Sequence, residues 1–356
     1  MLLMIGYLTT PTSVTGVSLA EFWAWVRYLA AITPHDPDLR LTRSYADLDA
    51  HQKTILSDDF GMGVPMVWLM KNLPLAEIVD GRYFVQRYGA SHGAHQHRTA
   101  KRGPNKAPDF VARGPDGKWH IMECKGTQSG EVFRDRQLDS GKSQKLSITF
   151  PPGYTGQRLV SGLSIGIEAG DPSHLSIIDP LPDDAITIAE SELEFANDAA
   201  TRGVMAKLLR STGFEIAAEA VAAPFGKPQA MPPSTKKADK NRVDFLADRD
   251  QRAREELWES TSRRLLFDGR YRGREVAFQL PRPIFIQGAT ISKVIVRQGI
   301  NIDALDLLRE QPTIETLVDP SRNHWIDMMG TSIVHDDENN ATLQIGKIFR
   351  SELILE

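Results

Sequence analysis

The feature that most constrains how this chain can fold is a short stretch in its first half. Asp109-Phe-Val-Ala-Arg113 and Lys118-Trp-His-Ile-Met-Glu-Cys-Lys125 are two extended runs joined by Gly114-Pro-Asp-Gly117. A Pro-Asp-Gly turn between runs rich in Val, Ile, Phe and Trp specifies a β-hairpin. Side chains alternate along a strand, so Glu123 and Lys125 share one face while Met122 and Cys124 share the other. Folding the hairpin about the turn pairs Arg113 with Lys118 and sets Asp109 opposite Met122, one residue short of Glu123. A bulge or strand twist would then bring the two acids together. Two carboxylates from adjacent strands, all oxygen donors, suit a hard cation such as Mg²⁺, and a lysine beside them can hold or polarise a water.

Around this hairpin the periodicity alternates between helical and extended. Ser18-Leu-Ala-Glu21 reads as a capping box opening a helix through Phe22, Trp25, Val26 and Leu29. A second helix is expected from Phe60 to Asn72 after Ser57-Asp58-Asp59, with Pro65 in its first turns or at a kink. Tyr83 to Tyr88 reads as a strand. It leads into a polar loop carrying His92, His95, His97, Arg98, Lys101, Arg102 and Lys106. A helix over about 130–146, strands over 159–168 and 174–178, and a helix over 187–210 stopped at Gly213 complete an α/β unit with a mixed sheet. Residues 1–221 are read as this unit, with its core at about 57–178. Residues 222–242, with four prolines and several lysines, read as a linker or long loop, and 243–356 as a smaller α+β unit.

Composition narrows the function classes. The 356 residues are 41% hydrophobic and 25% charged, enough for a full core, and the formal charge is −4. No global excess of Lys and Arg marks a nucleic-acid binder, so a polyanion site has to be a local basic patch. The one cysteine excludes an intramolecular disulfide and a multi-cysteine zinc site, which points to a reducing, cytoplasmic setting. The apolar start, Met1 to Leu8, lacks a basic region ahead of it, and no run approaches the ~18 apolar residues of a membrane span. The three histidines lack the i, i+4 spacing of a helical metal site. The run reads first as a plain polar loop and, with Arg98, Lys101, Arg102 and Lys106, alternatively as a phosphate-binding arm ahead of the hairpin.

Pro108-Asp109, thirteen residues, then Glu123-Cys124-Lys125 followed by Gly126-Thr127 resembles the PD-(D/E)xK nuclease superfamily, over about 57–178. The resemblance implies a restriction-endonuclease-like mixed sheet flanked by helices. It implies Asp109 and Glu123 as metal ligands, the Cys124 carbonyl as a third, and Lys125 near the attacking water. Members often add an acid from the helix before the sheet, for which Asp59 is the candidate and Glu77 the alternative. They often add a Gln or Lys from the helix after it, for which Gln144 is the candidate on a face shared with Gln137 and Gly141. The expected activity is Mg²⁺-dependent phosphodiester hydrolysis, with Mn²⁺ as a substitute and DNA as substrate, in a restriction or anti-phage role that leaves room for partner subunits or a homo-oligomer. The competing class is a non-catalytic nucleic-acid-binding or scaffold subunit of the same fold. Degenerate copies usually lose an acid or the lysine, and here all three residues are present.

Overall fold

A computed structural model describes residues 1–12, 25, 27–34, 36, 38–92, 107–145, 148–180, 186–222, 236–259, 263–286, 288–310, 327–337 and 339–356. The element order is α1 (Leu2–Thr9), α2 (Ala50–Asn72), β1 (Glu77–Asp80), α3 (Gly81–His92), β2 (Phe110–Arg113), β3 (Trp119–Thr127), α4 (Glu131–Lys145), β4 (Thr155–Ser164), β5 (His174–Ile178), α5 (Leu193–Ser211), α6 (Glu215–Ala222) and α7 (Lys236–Trp258). Then come β6 (Arg264–Leu266), β7 (Tyr271–Ile286), β8 (Ala289–Asn301), α8 (Ile302–Glu310), β9 (Ile333–Asp336), β10 (Asn340–Ile345) and β11 (Phe349–Leu355). The fold is mixed α/β with a C-terminal antiparallel sheet.

The central sheet has strand order β1-β2-β3-β4-β5. Its β3–β4 pair is parallel and the other pairs are antiparallel. A parallel neighbour needs a crossover, and α4 supplies it between β3 and β4. The second sheet runs β6-β7-β8-β11-β10-β9, antiparallel throughout.

The expected hairpin is present, with a register one residue from the expected one. Gly114 N–H donates to the Lys118 carbonyl at 2.9 Å, and Gly117 takes φ +78°, a left-handed conformation that glycine adopts without strain. The loop therefore holds five residues, Arg113 pairs with Trp119, and Phe110 pairs with Met122. One step further, Asp109 stands level with Glu123 without any bulge.

Three other elements differ from their expected form. Helix α2 begins at Ala50, capped by Asp49, whose carboxylate accepts from His51 and Gln52 N–H at 3.0 and 3.1 Å. Ser57, Asp58 and Asp59 are thus mid-helix rather than a cap, and Pro65 lies in the interior. Residues 83–88, expected as a strand, belong to α3. Tyr83, Phe84, Val85 and Tyr88 are buried there, an i, i+1, i+2, i+5 pattern that aromatic and β-branched composition disguises as a strand. The segment Lys236–Arg242, expected as linker, is the first part of α7; residues 223–235, like the capping box at Ser18–Glu21, fall outside the described residues.

The two faces of the central sheet bury different cores. Ile78, Phe110, Ala112, Met122 and Cys124 face a cluster shared with α1, α2 and the C-terminal sheet, through Leu3, Met66, Val296, Phe349 and Leu353. The residues read as a separate C-terminal unit thus contribute to the same hydrophobic core as the strands of the hairpin. Val79, Val111, Trp119 and Ile121 face a second cluster with α3 and α5, where the Trp119 and Phe150 rings stack at 4.7 Å. Two ion pairs fix α5 against α3 and the sheet, Asp198 with Arg87 at 2.9 Å and Lys207 with Asp80 at 2.7 Å, while within α5 Asp198 also pairs with Arg202 at 2.7 Å. Glu77, the alternative helix acid, is on β1, fully buried between Arg113 at 2.6 Å and the Thr201 hydroxyl at 2.8 Å.

Phe349→Ala should cost about 3–5 kcal/mol, as for other buried Phe truncations. The shared core predicts one unfolding transition at a lower midpoint in urea, whereas a separate early transition confined to the C-terminal sheet would contradict it.

Candidate active site

The site is built where α2, β2, β3 and α4 meet. Helix α2 crosses β3 backbone to backbone. A Cβ on Gly126 would lie 1.8 Å from the Ser57 carbonyl oxygen, and one on Gly61 would lie 2.5 Å from Gly126 N and 2.8 Å from the Lys125 carbonyl carbon. Only glycines permit that approach. It sets residues 57–61 of α2 beside Lys125 and Gly126. On the opposite face α4 packs against side chains: a Cβ on Gly141 would meet Val160 Cγ1 at 2.7 Å and Glu123 Cγ at 3.3 Å, with Lys125 Cε at 3.8 Å.

Asp109 and Glu123 interlock through main-chain donors. Asp109 N–H donates to Glu123 Oε2 at 3.2 Å, and Cys124 N–H donates to Asp109 Oδ2 at 2.8 Å. Lys125 Nζ donates to the other Glu123 oxygen, Oε1. The ammonium keeps about a fifth of its side chain exposed, whereas Glu123 has none. The Cys124 side chain is buried on the other face, among Met122 and Phe110.

Burial and crowding set the electrostatics. Burial pushes the Glu123 carboxyl well above the usual carboxylate range, and the charge of Asp109 pushes it further. Burial also raises Asp109, with Asp58 adding to the rise, while the Cys124 N–H and Lys125 oppose it. Burial works against the Lys125 ammonium, but the hydrogen bond and charge of Glu123, helped by Asp109, outweigh it and raise its pKa. Burial raises the Cys124 thiol too, so it is no thiolate nucleophile or ligand.

Asp109, Glu123 and Lys125 therefore come together as the sequence suggested. Asp59 does not join them. Its carboxylate accepts from the Tyr28 hydroxyl at 2.5 Å, and burial followed by that bond governs its titration. Its neighbour Asp58 is the one coupled to Asp109 and Lys125. Successive helical residues point about 100° apart, since a turn holds 3.6, so only one of the two can face β3. Gln144 is on α4, but its side chain is outside the described residues, as are Arg98, Lys101, Arg102 and Lys106 altogether. Gln137, one turn before Gly141, is half-buried, and its Oε1 is buried without a hydrogen-bond partner among the described residues.

Among the described residues no three His, Cys, Asp or Glu side chains form a ready metal cage. The donors on offer are nevertheless all carboxylate oxygens that are buried and mutually repelling, a setting that a hard cation relieves. Mg²⁺ commonly takes only one or two carboxylates, with water and substrate phosphate filling its shell. Comparison of the chain with protein-family models, with curated proteins and with solved structures finds no match in any of the three.

A carboxyl whose pKa is raised by folding lowers stability as the pH climbs from its unfolded value, near ~4, through its folded value. Asp109→Asn keeps an acceptor for Cys124 N–H and removes that charge. The metal-free variant should melt above the parent chain at pH 8, and the gap should close toward pH 4. A gap of opposite sign at pH 8 would show that Asp109 is not electrostatically opposed in the folded chain.

Proposed function

We propose that the chain is a metal-dependent nuclease of restriction-endonuclease-like fold that hydrolyses phosphodiester bonds, with DNA as its substrate. The observation that carries the reading is the convergence of Asp109, Glu123 and Lys125 at one point of a mixed sheet, with the two acids held level by the hairpin register. The order of helix, three antiparallel strands, crossover helix and parallel strand supports it, because it places both acids and the lysine on the sheet between α2 and α4.

Asp109 and Glu123 would hold a Mg²⁺ or Mn²⁺ ion. When bound, that ion supplies Lewis acidity toward a phosphate oxygen and makes a nearby water more acidic. The chain's own groups do the rest. The Lys125 ammonium is half-buried at the edge of the carboxylate pair, placed to orient an attacking water and to counter negative charge growing on the phosphate. Gln137 Oε1 offers an unused acceptor on the helix that passes over Lys125, suited to fixing the proton direction of that water. Low dielectric around Glu123 strengthens each of these interactions. Arg98, Lys101, Arg102 and Lys106, in the segment leading directly into Asp109, would contact the phosphate backbone without regard to sequence. The single, buried cysteine accords with a cytoplasmic protein, and no helix of the described residues is long and apolar enough to cross a membrane.

The purified chain should nick or degrade plasmid, linear or single-stranded DNA with Mg²⁺ or Mn²⁺ and stop on chelation. Lys125→Ala should slow cleavage about 100-fold, the scale of one lost electrostatic donor, while DNA affinity stays near the parental value. Lys125→Arg should rescue poorly, because a planar fork does not reproduce a compact ammonium. A chain that binds DNA but leaves every substrate uncut would favour the scaffold reading. A folded Lys125→Ala chain that cuts at the parental rate would remove Lys125 from the mechanism.

A further inference from the structure

Every carboxylate oxygen that the hairpin would offer a cation through Glu123 is already engaged. Oε1 accepts from Lys125 Nζ and Oε2 from Asp109 N–H, while Asp109 Oδ2 accepts from Cys124 N–H. In the metal-free chain Lys125 is thus an internal cation seated on the group that a metal needs. A divalent ion approaching Glu123 Oε1 meets the repulsion of an ammonium on the same oxygen, which eases only if the ammonium has somewhere else to go.

The crossing of α2 over β3 supplies that second place. Ser57 O and Gly61 Cα pack on the Lys125–Gly126 backbone with no side chain between them. Asp58, between those two contacts in the chain, is thereby held on the stretch of α2 that packs against the Lys125–Gly126 backbone. It is exposed, the Lys125 charge acts on it and its own charge acts on Asp109, and its side chain forms no hydrogen bond or ion pair among the described residues. Lys125 thus has a buried partner, Glu123, and an exposed, unpaired acid, Asp58, on the helix packed against its own backbone. The three carboxylates and one ammonium leave two negative charges, which one divalent cation balances.

We infer that Asp58 is a positioning residue that draws the Lys125 ammonium off Glu123, so that a divalent cation can take the Glu123 carboxylate without Asp58 itself being a ligand. This rests on the metal-dependent reading above and specifies how its site is loaded. Lys125 then competes with the metal in the resting chain and, held outward by Asp58, faces the substrate phosphate in the loaded one.

The test is Mn²⁺ binding to the full chain without DNA, followed by calorimetry, for the parent, Lys125→Met, Asp58→Asn and the double variant, with far-UV dichroism to verify folding and Lys125→Gln as a second removal of the charge. Lys125→Met and Lys125→Gln should bind Mn²⁺ roughly three- to fivefold tighter than the parent, and Asp58→Asn weaker by a similar factor, the scale of a partly exposed charge pair. In the Lys125→Met background Asp58→Asn should change affinity by less than about twofold, because its effect passes through the missing ammonium. An Asp58→Asn loss that is equally large in that background would make Asp58 a ligand and overturn the inference. So would tighter binding absent from both Lys125 variants. If none of the folded proteins binds Mn²⁺, the metal-dependent reading itself fails and this inference falls with it, an outcome distinct from binding that ignores Lys125 and Asp58.

Discussion

The backbone contact of α2 with β3 at Ser57, Gly61 and Gly126 is the constraint from which the site follows. A methyl group at Gly126 would occupy the position of the Ser57 carbonyl, so the two elements approach as closely as backbones allow. That closeness fixes Asp58 beside Lys125. It also closes the sheet face that buries Cys124 and Met122, leaving Glu123 and Lys125 to the opposite face beneath Gly141 of α4. Glu123 is then fully buried and Asp109 partly so, and burial, more than any single neighbour, raises their pKa values. A buried like-charge pair opposes folding in the metal-free chain, the kind of local cost that functional sites commonly carry.

Much of this was legible in the sequence because it is local. The Pro-Asp-Gly turn, the alternation of Glu123 and Lys125 against Cys124, the crossover helix over 131–145 and the strand at 174–178 follow from short-range chemistry. The register was misjudged by one residue because a four-residue and a five-residue turn share the same Gly-Pro-Asp-Gly signature; the choice rests on the Gly114–Lys118 hydrogen bond, which no local pattern specifies. The strand expected at 83–88 became a helix because Arg87 finds Asp198 and the aromatic side chains find α5, both long-range events.

The choice between Asp58 and Asp59 shows the same limit more sharply. Adjacent acids are equivalent in sequence, and an N-terminal cap would have explained either. What separates them is the start of α2 at Ala50, eight residues before Asp58, and the small residues Ser57 and Gly61 one turn apart that mark the face against β3. Read with Gly126, that spacing is a signal available in the sequence, since small residues one helical turn apart permit close backbone approach. The location of Tyr28, which claims Asp59, is not. Sharing of one core between the hairpin and the C-terminal sheet was equally unreadable, because Val296, Phe349 and Leu353 carry no mark of which surface they cover.

The proposed function depends on Asp109 and Glu123 meeting at a single cation site. Diffraction from crystals soaked in Mn²⁺, collected where manganese scatters anomalously, tests that most directly. The account predicts one anomalous peak with Asp109 and Glu123 oxygens at ~2.0 to 2.6 Å and Lys125 displaced from Glu123 toward Asp58. A peak bound elsewhere, or none while Asp109, Glu123 and Lys125 keep their mutual hydrogen bonds at saturating Mn²⁺, would contradict it.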